Sequence, residues 1–162
     1  MLRAFFVSAV LVGVAGPALA DDMDACRDQQ TEAKARLDAC ENVIAAAQVS
    51  GKDLAIAYGV RGLAFRLKRN YDKAIAAFEA AHAADPDNPN YINGRGLAYE
   101  GKGDDAHAMA DYNLVLQMRP NSPLALNNRG TLYLRQGAIQ SALDDFNAAV
   151  NFISRALIAV TC

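Results

Sequence analysis

The chain has 162 residues, of which 52% are hydrophobic, and carries 16 basic against 18 acidic side chains, a net charge of −2. This length predicts a single domain. Nucleic acid is not expected as a ligand, because affinity for a phosphate backbone requires an excess of clustered Lys and Arg. Much of the apolar content is alanine, which lets helices approach closely rather than filling large volumes.

The first twenty residues have the layout of a secretory signal peptide. Arg3 precedes an apolar run over residues 4–15, and residues 18–20 read Ala-Leu-Ala, which is a typical cleavage site. We expect cleavage after Ala20, which leaves a periplasmic or secreted chain that begins at Asp21 and is not stably inserted in a membrane. An uncleaved anchor is the alternative, although the apolar run is shorter than the roughly 20 residues of a membrane span.

Residues 21–54 are expected to form a degenerate helical hairpin that caps the amino-terminal end of a helical stack. Its first helix is predicted around residues 24–30. Cys26 and Cys40 lie 14 residues apart, and because an exported protein can form disulfides we predict that they are bridged. Their spacing differs from the Cys-x-x-Cys motif of redox enzymes. Cys162 is left over, which indicates either intermolecular pairing or a free thiol.

One sequence pattern then occurs three times, 34 residues apart, over residues 55–88, 89–122 and 123–156. Each copy reads as two amphipathic helices, with an Arg-Gly pair in the first and an alanine four residues before an aromatic residue in the second. The pairs are Arg61-Gly62, Arg95-Gly96 and Arg129-Gly130, and the alanines are Ala74, Ala108 and Ala142. A fixed period of this length is typical of stacked helical hairpins rather than of one closed globule.

Helix boundaries are marked by proline and by capping residues. In the first copy we predict helices over residues 54–67 and 71–84. Pro86 and Pro120 close the first two copies. Three polar residues are placed to cap the helices that follow them: Asn88, Asp104 and Ser122.

The three glycines lie in the middle of a helix, where glycine costs about 1 kcal/mol relative to alanine. Its recurrence at one register predicts close approach of the two helices of each copy. We expect Ala74, Ala108 and Ala142 to face Gly62, Gly96 and Gly130, while the aromatic residues fill the spaces above and below.

The third copy ends differently from the first two. Ser154 stands where proline is expected, and only residues 157–162 follow the copy, as a truncated tail. The second helix of this copy is expected to expose an apolar face formed by Phe146, Val150, Ile153 and Leu157. A solvated frayed end, self-association and truncation are the alternatives.

These copies resemble tetratricopeptide repeats, which place aromatic, Gly, Tyr, Ala, Phe and Pro residues over 34 positions. The resemblance is good over residues 55–156 and weak over residues 21–54. The chain has no Trp, and Arg stands where the family usually has Leu. Asn-Arg-Gly at residues 128–130 is similar to exported bacterial members. The resemblance implies an all-α, right-handed superhelical solenoid of tandem helix-turn-helix repeats, whose concave face is lined by the first helix of each repeat.

The resemblance also implies that a protein or peptide segment binds in this concave groove. The positions that would line it carry mixed side chains: Ile56, Gly59, Leu63, Arg66, Asn90, Asn93, Leu97, Glu100, Leu124, Asn127, Thr131 and Arg135. Asn amides suit hydrogen bonding to an extended backbone. Recognition of an acidic carboxy-terminal tail is not expected, because Gly59 and Leu124 stand where the family's basic clamp residues would be.

No catalytic, metal or cofactor site is predicted. Arg61, Arg95 and Arg129 are either anion donors or structural residues paired with acids such as Asp111 and Asp145. Their recurrence beside the glycines favours the second interpretation. His82 and His107 lack companion ligands, and no nucleophile or phosphate-binding motif occurs.

We therefore predict a non-enzymatic interaction scaffold or adaptor of the cell envelope. The alternatives are a protein that self-associates through its carboxy-terminal helix face or Cys162, and an accessory fragment of a larger secretion or enzyme complex.

Overall fold

The computed structural model describes the backbone of residues 17–161 and the side chains of residues 18–154. This part of the chain contains eight helices and no strand, so the predicted all-α class is confirmed. The helices form four successive hairpins: α1 Pro17–Arg27 with α2 Ala33–Ala46, α3 Gly51–Leu67 with α4 Tyr71–Ala84, α5 Pro89–Lys102 with α6 Asp105–Met118, and α7 Pro123–Arg135 with α8 Ile139–Thr161. Each helix packs against the next one, and α3 also contacts α1 and α5, which stacks the hairpins into a solenoid.

Polar side chains in the turns begin four of these helices. Each accepts a hydrogen bond from a free backbone N–H in the first helical turn. The caps predicted from the sequence are confirmed, and Asn70 adds a fourth: Asn70 with Lys73 N, Asn88 with Asn90 N, Asp104 with His107 N, and Ser122 with Ala125 N.

Two helix boundaries predicted from the sequence were wrong. Helix α3 begins at Gly51 rather than at residue 54, and α1 ends at Arg27 rather than near residue 30. The carboxylate of Asp28 accepts hydrogen bonds from Gln30 N and Thr31 Oγ, both at 2.9 Å. Such local bonds favour a turn over continued helix.

Helix α1 begins inside the predicted signal peptide, because residues 17–20 form its first turn. Leu19 packs against the buried residues of the first hairpin. Residues 1–16 lie outside the described part of the chain, so the signal peptide and its cleavage after Ala20 stay a prediction.

The repeated glycines do receive close neighbours, but these are aromatic rings rather than the alanines. A Cβ atom added at Gly62, Gly96 or Gly130 would lie 2.9, 2.7 or 2.8 Å from a ring carbon of Phe78, Tyr112 or Phe146. Ala74, Ala108 and Ala142 are fully buried. The atoms nearest to each glycine therefore belong to the aromatic ring one turn further along the second helix, and not to these alanines.

The first hairpin contains the predicted disulfide between Cys26 and Cys40, whose Cα atoms are 4.9 Å apart. Both cysteines are fully buried, in a small apolar cluster with Met23 and Val43. The bridge therefore joins α1 to α2 inside the core of the hairpin.

Reduction of this disulfide should lower the stability of the chain. Closing a loop between residues 14 apart removes unfolded-state entropy worth about 3 kcal/mol in the chain-entropy model. We expect the melting temperature of a Cys162→Ser variant to fall when reductant is added. A Cys26→Ala, Cys40→Ala, Cys162→Ser variant is the control and should not respond. Equal melting of the oxidised and reduced single variant would contradict the prediction.

Helix α8 is longer than the other second helices, with 23 residues against 14 in α4 and α6. It continues through residues 153–161 because Ser154 replaces the helix-stopping proline. Two residues of its predicted apolar face are exposed, Val150 at 61% and Ile153 at 49%, and Ile139 and Leu143 extend the same face. The prediction was wrong for Phe146, which is half-buried because its ring packs against Gly130 of α7. The side chain of Leu157 and all of Cys162 lie outside the described residues.

Candidate functional site

The side chains predicted to line the concave groove lie on α3, α5 and α7. Six of them are exposed, and two of these are large and apolar: Leu63, Asn90, Leu124, Asn127, Thr131 and Arg135. Leu63 is 42% and Leu124 53% exposed, while Ile56 and Leu97 are half-buried. Within the described residues, no hydrogen bond involves the side-chain amides of Asn90 or Asn127. This face therefore offers free amides beside apolar contact area.

Two of the predicted groove positions are occupied by contacts between neighbouring first helices. Asn93 is only 5% exposed, and its Oδ1 accepts a hydrogen bond of 3.0 Å from Asn128 Nδ2 in the next repeat. Gly59 lies under the ring of Tyr91, because a Cβ atom added at Gly59 would be 2.8 Å from a carbon of that ring. These positions join the repeats. The predicted role of the Asn93 amide as a donor to a partner does not fit its burial.

The charged groove residues are also engaged with one another. Arg135 lies 3.0 Å from the Glu100 carboxylate, and it also donates to Asp105. The second carboxylate oxygen of Glu100 accepts a 2.7 Å hydrogen bond from the hydroxyl of Tyr112. One arginine of the third repeat thus pairs with two acids of the second repeat. The remaining charged residue, Arg66, is half-buried.

The Tyr112 side chain is fully buried at the centre of this network. Its burial, together with its hydrogen bond to the Glu100 carboxylate, raises the pKa of the phenol well above its usual value. The folded chain thus keeps Tyr112 protonated at pH values where an unfolded chain would lose the proton.

Alkaline pH should destabilise the fold through this residue. Above about pH 10 the unfolded state ionises Tyr112 while the folded state does not, so stability falls as pH rises. This group alone lowers the free energy of unfolding by up to about 1.4 kcal/mol per pH unit. We expect Tyr112→Phe to lose stability less steeply than the parent between pH 10 and 11.5 in urea titrations. Between pH 7 and 9 the two curves should run parallel, and parallel curves over the whole range would contradict the prediction.

The arginines that precede the repeated glycines form a ladder of Arg61, Arg95 and Arg129, and two of them pair with acids as predicted. Arg95 donates two hydrogen bonds to Asp111, at 2.9 and 2.6 Å, and Arg129 donates two to Asp145, at 2.8 and 2.7 Å. The aspartates are 5% and 6% exposed. These bonds raise the pKa of both guanidinium groups, which stay charged.

Arg61 differs from the other two members of the ladder because the first repeat has Ala77 at the position of Asp111. Its guanidinium lies over the ring of Tyr58, 4.7 Å from the centroid, and 3.7 Å from the Glu41 carboxylate. Its Nε is buried with no hydrogen-bond partner in the described part of the chain.

The side chain of His107 packs against two neighbouring residues. His107 stacks on Tyr99, with ring centroids 4.9 Å apart, and its Nδ1 is 2.8 Å from the Asp104 carboxylate. Among the side chains of residues 18–154, no group of three or more His, Cys, Asp or Glu converges as metal ligands would.

One feature near the groove was missed by sequence reasoning. A cavity of about 490 Å³ lies at the amino-terminal ends of α3 and α5, beside the turn between α4 and α5. Ile56 and Asn90, two predicted groove residues, line it together with Asp85 of the turn. In the sequence, the stretch around Asp85 carries only a turn signal.

A model of the tetratricopeptide repeat family matches residues 32–89, 60–123 and 91–156. The chain belongs to this family. The matches overlap and together span residues 32–156, so they include α2 of the first hairpin but not α1. The resemblance read from the glycine, aromatic and alanine spacing is confirmed.

Solved structures share this fold at low sequence identity. MamA is 20% identical, with a TM-score of 0.66 over 77% of this chain and 71% of MamA. The first repeat domain of Spaghetti (RPAP3), bound to an HSP90 peptide, is 23% identical, with a TM-score of 0.60 over 64% of this chain and 82% of that one. The Sgt2 domain from Aspergillus fumigatus is 21% identical, with a TM-score of 0.61 over 65% and 70%. No curated protein matches the chain.

Proposed function

We propose that this protein is a non-enzymatic interaction module that holds a segment of a partner protein against the exposed faces of α3, α5 and α7. The observation that carries the proposal is the exposure of leucine and amide side chains on successive first helices. Leu63 and Leu124 supply apolar contact area, and Asn90 and Asn127 can bond the backbone of an extended segment. The RPAP3 domain, which shares the fold, is bound to an HSP90 peptide, and this supports a peptide ligand here.

Site-specific photo-crosslinking in the producing cell tests this proposal. A photoreactive residue at Leu63 or Thr131, which share one register of the first helices, should give discrete crosslinked protein bands. The matched control is Ala76 or Ala110, which are exposed at one shared register of the second helices. Equal crosslinking from both sets of positions, or none from the first set, would contradict groove binding.

We also propose that the chain is exported to the cell envelope, on the strength of the amino-terminal charge, apolar run and Ala-Leu-Ala sequence. The buried disulfide between Cys26 and Cys40 supports an oxidising compartment. Amino-terminal sequencing of the protein recovered from an osmotic-shock fraction should begin at Asp21. Recovery only from the cytosol with Met1 intact would refute export.

Self-association through α8 is a second candidate function, favoured by a specific spacing. Apolar side chains recur at intervals of four, three, four and three residues, which is the spacing of a helix-pairing seam: Ile139, Leu143, Phe146, Val150 and Ile153. Phe146 is half-buried against α7, but Val150 is 61% exposed. At the equivalent position of the second repeat, Leu116 is partly covered by packing against the buried cluster of Ile92, Val115 and Ala125.

Light scattering separates this candidate from a monomeric adaptor. In a Cys162→Ser background, the chain should be a dimer at micromolar concentration if α8 pairs with a second copy. Val150→Lys should then convert it to a monomer, whereas Asn147→Lys, exposed on the same helix outside the seam, should not. A monomeric parent chain would eliminate this candidate.

A further inference from the structure

The cavity beside the groove contains a buried acid that lacks a partner. Asp85 is only 9% exposed and lines the cavity. Its backbone is satisfied, since its N–H donates to Ala81 O at 3.0 Å and its carbonyl accepts from Asn88 N at 3.3 Å. Its carboxylate makes no hydrogen bond or ion pair with any of the described residues. Its oxygens keep contact with the cavity, where they are free to accept hydrogen bonds from a cation.

The surroundings of Asp85 suit a cation with an apolar stem. Tyr91, also 9% exposed, contributes an aromatic wall. Burial and the charge of Asp85 raise the pKa of the Tyr91 phenol, so the wall stays neutral. Asp87 adds a second, exposed carboxylate, and Ile56 adds apolar surface. An ammonium or guanidinium can thus meet carboxylate oxygens while its methylene groups pack on Tyr91 and Ile56.

The basic residues of the cavity do not neutralise this acid. Lys52 and Arg119 also line the cavity but are exposed, and neither lies within ion-pair distance of Asp85 or Asp87 in the described structure. The buried wall is therefore negative, and the positive charges lie at the solvent-facing side. A bound segment could offer its own carboxylates or carbonyls to these outer cations.

The acid and the aromatic ring of this cavity are not needed for stacking one repeat on the next. One period of 34 residues further along, Asp85 is replaced by Arg119 and Tyr91 by Ala125. The second and third repeats stack with these other residues, so the acidic aromatic cavity belongs to the junction of the first and second repeats alone among these copies.

We infer that this cavity receives the side chain of a Lys or Arg carried by the segment that lies in the groove. The inference rests on the proposed function, because Ile56 and Asn90 belong both to the groove and to the cavity. A volume of about 490 Å³ lies within the range of sites that hold small ligands, and it accommodates either side chain. Asp85 is the specificity-determining residue of this site.

Titration of isotope-labelled protein with blocked amino acids, followed by NMR, tests the inference directly. N-acetyl-lysine methylamide and N-acetyl-arginine methylamide should shift the backbone amide signals of residues 87–91 in a saturable manner. N-acetyl-norleucine methylamide, which has a similar length but no charge, should bind at least tenfold more weakly. Equal binding of the norleucine compound, or no saturable shift with either cation, would overturn the inference.

Variants of Asp85 test whether this residue is responsible for binding the cation. Asp85→Asn, which is close in size to the parent residue, should weaken binding of N-acetyl-lysine methylamide at least tenfold. The control Asp144→Asn, which is distant and exposed, should leave that affinity unchanged. Unchanged affinity in a folded Asp85→Asn protein would overturn the assignment. If Asp85→Asn does not fold, the norleucine comparison on the parent chain decides alone.

The source of the cation is tested separately from the groove function. Putrescine or free lysine binding more tightly than the blocked lysine compound would overturn the assignment to a peptide side chain. Crosslinks at Leu63 and Thr131 without binding of the cationic compounds would refute only the cavity inference. Binding of the blocked compounds without those crosslinks would refute the groove function while retaining a cation site.

Discussion

Asp111→Ala should lower the free energy of unfolding by about 3 kcal/mol, because it leaves the Arg95 guanidinium partly buried without its partner. Asp111 is 5% exposed and accepts both short hydrogen bonds from Arg95. Urea unfolding followed by circular dichroism measures the loss. Asp144→Ala is the matched control, since this aspartate is exposed, and it should change stability by less than about 0.5 kcal/mol. A small effect of Asp111→Ala would show that the pair does not stabilise the stack.

The first repeat offers the reverse experiment, because it has the arginine but lacks the acid. Ala77 is 2% exposed and occupies the position equivalent to Asp111. We expect Ala77→Asp to stay within about 1 kcal/mol of the parent, since the new carboxylate can pair with Arg61. In an Arg61→Ala background the same change buries an unpaired charge and should cost about 3 kcal/mol. A double-mutant cycle without coupling would contradict this account of the ladder.

Gly96→Ala should destabilise the chain by about 2 kcal/mol, although alanine is normally favoured over glycine within a helix. The new Cβ would lie 2.7 Å from a ring carbon of Tyr112 and 3.2 Å from Asp111 Cβ. The Tyr112 ring cannot move aside easily, because it is fully buried and its hydroxyl is bonded to Glu100.

Gly101→Ala on the same helix is the control for this substitution. Its new Cβ would meet the ring of Tyr71, which is half-buried and can rotate toward solvent. We expect Gly101→Ala to be neutral or slightly stabilising in the same urea titration. If both substitutions change stability equally, then close contact with Tyr112 is not the reason for glycine at position 96.

Much of the fold could be predicted because each repeat carries its own helix-capping residues, turn residues and hydrophobic periodicity. The predicted second helix over residues 71–84 has the same bounds in the structure, since Asn70 caps its start and the sequence around Pro86 ends it. The prediction failed for α1, where the turn is set by the side chain of Asp28 rather than by glycine or proline. Local side-chain bonds of this kind leave little trace in hydrophobic periodicity.

The candidate groove was only partly predictable. The exposure of Leu63 and Asn127 follows from their place on the side of a first helix that does not pack against the second helix of its repeat. The burial of Asn93 does not, because its partner Asn128 lies 35 residues away in the next repeat. Whether a polar side chain is free or bonded depends on the distance between stacked helices, which periodicity does not specify.

The sequence by itself determined the order of helical hairpins, the pairing of Cys26 with Cys40 and the register of the repeated glycines, because these depend on spacing within one or two neighbouring elements. Only the tertiary structure decided which polar groups remain available for a partner. Asp85 and Arg119 share one cavity although they are a full repeat apart in the chain. The physical reason is that burial and unpaired charge are properties of surfaces assembled from several helices, so they arise only when the repeats are stacked.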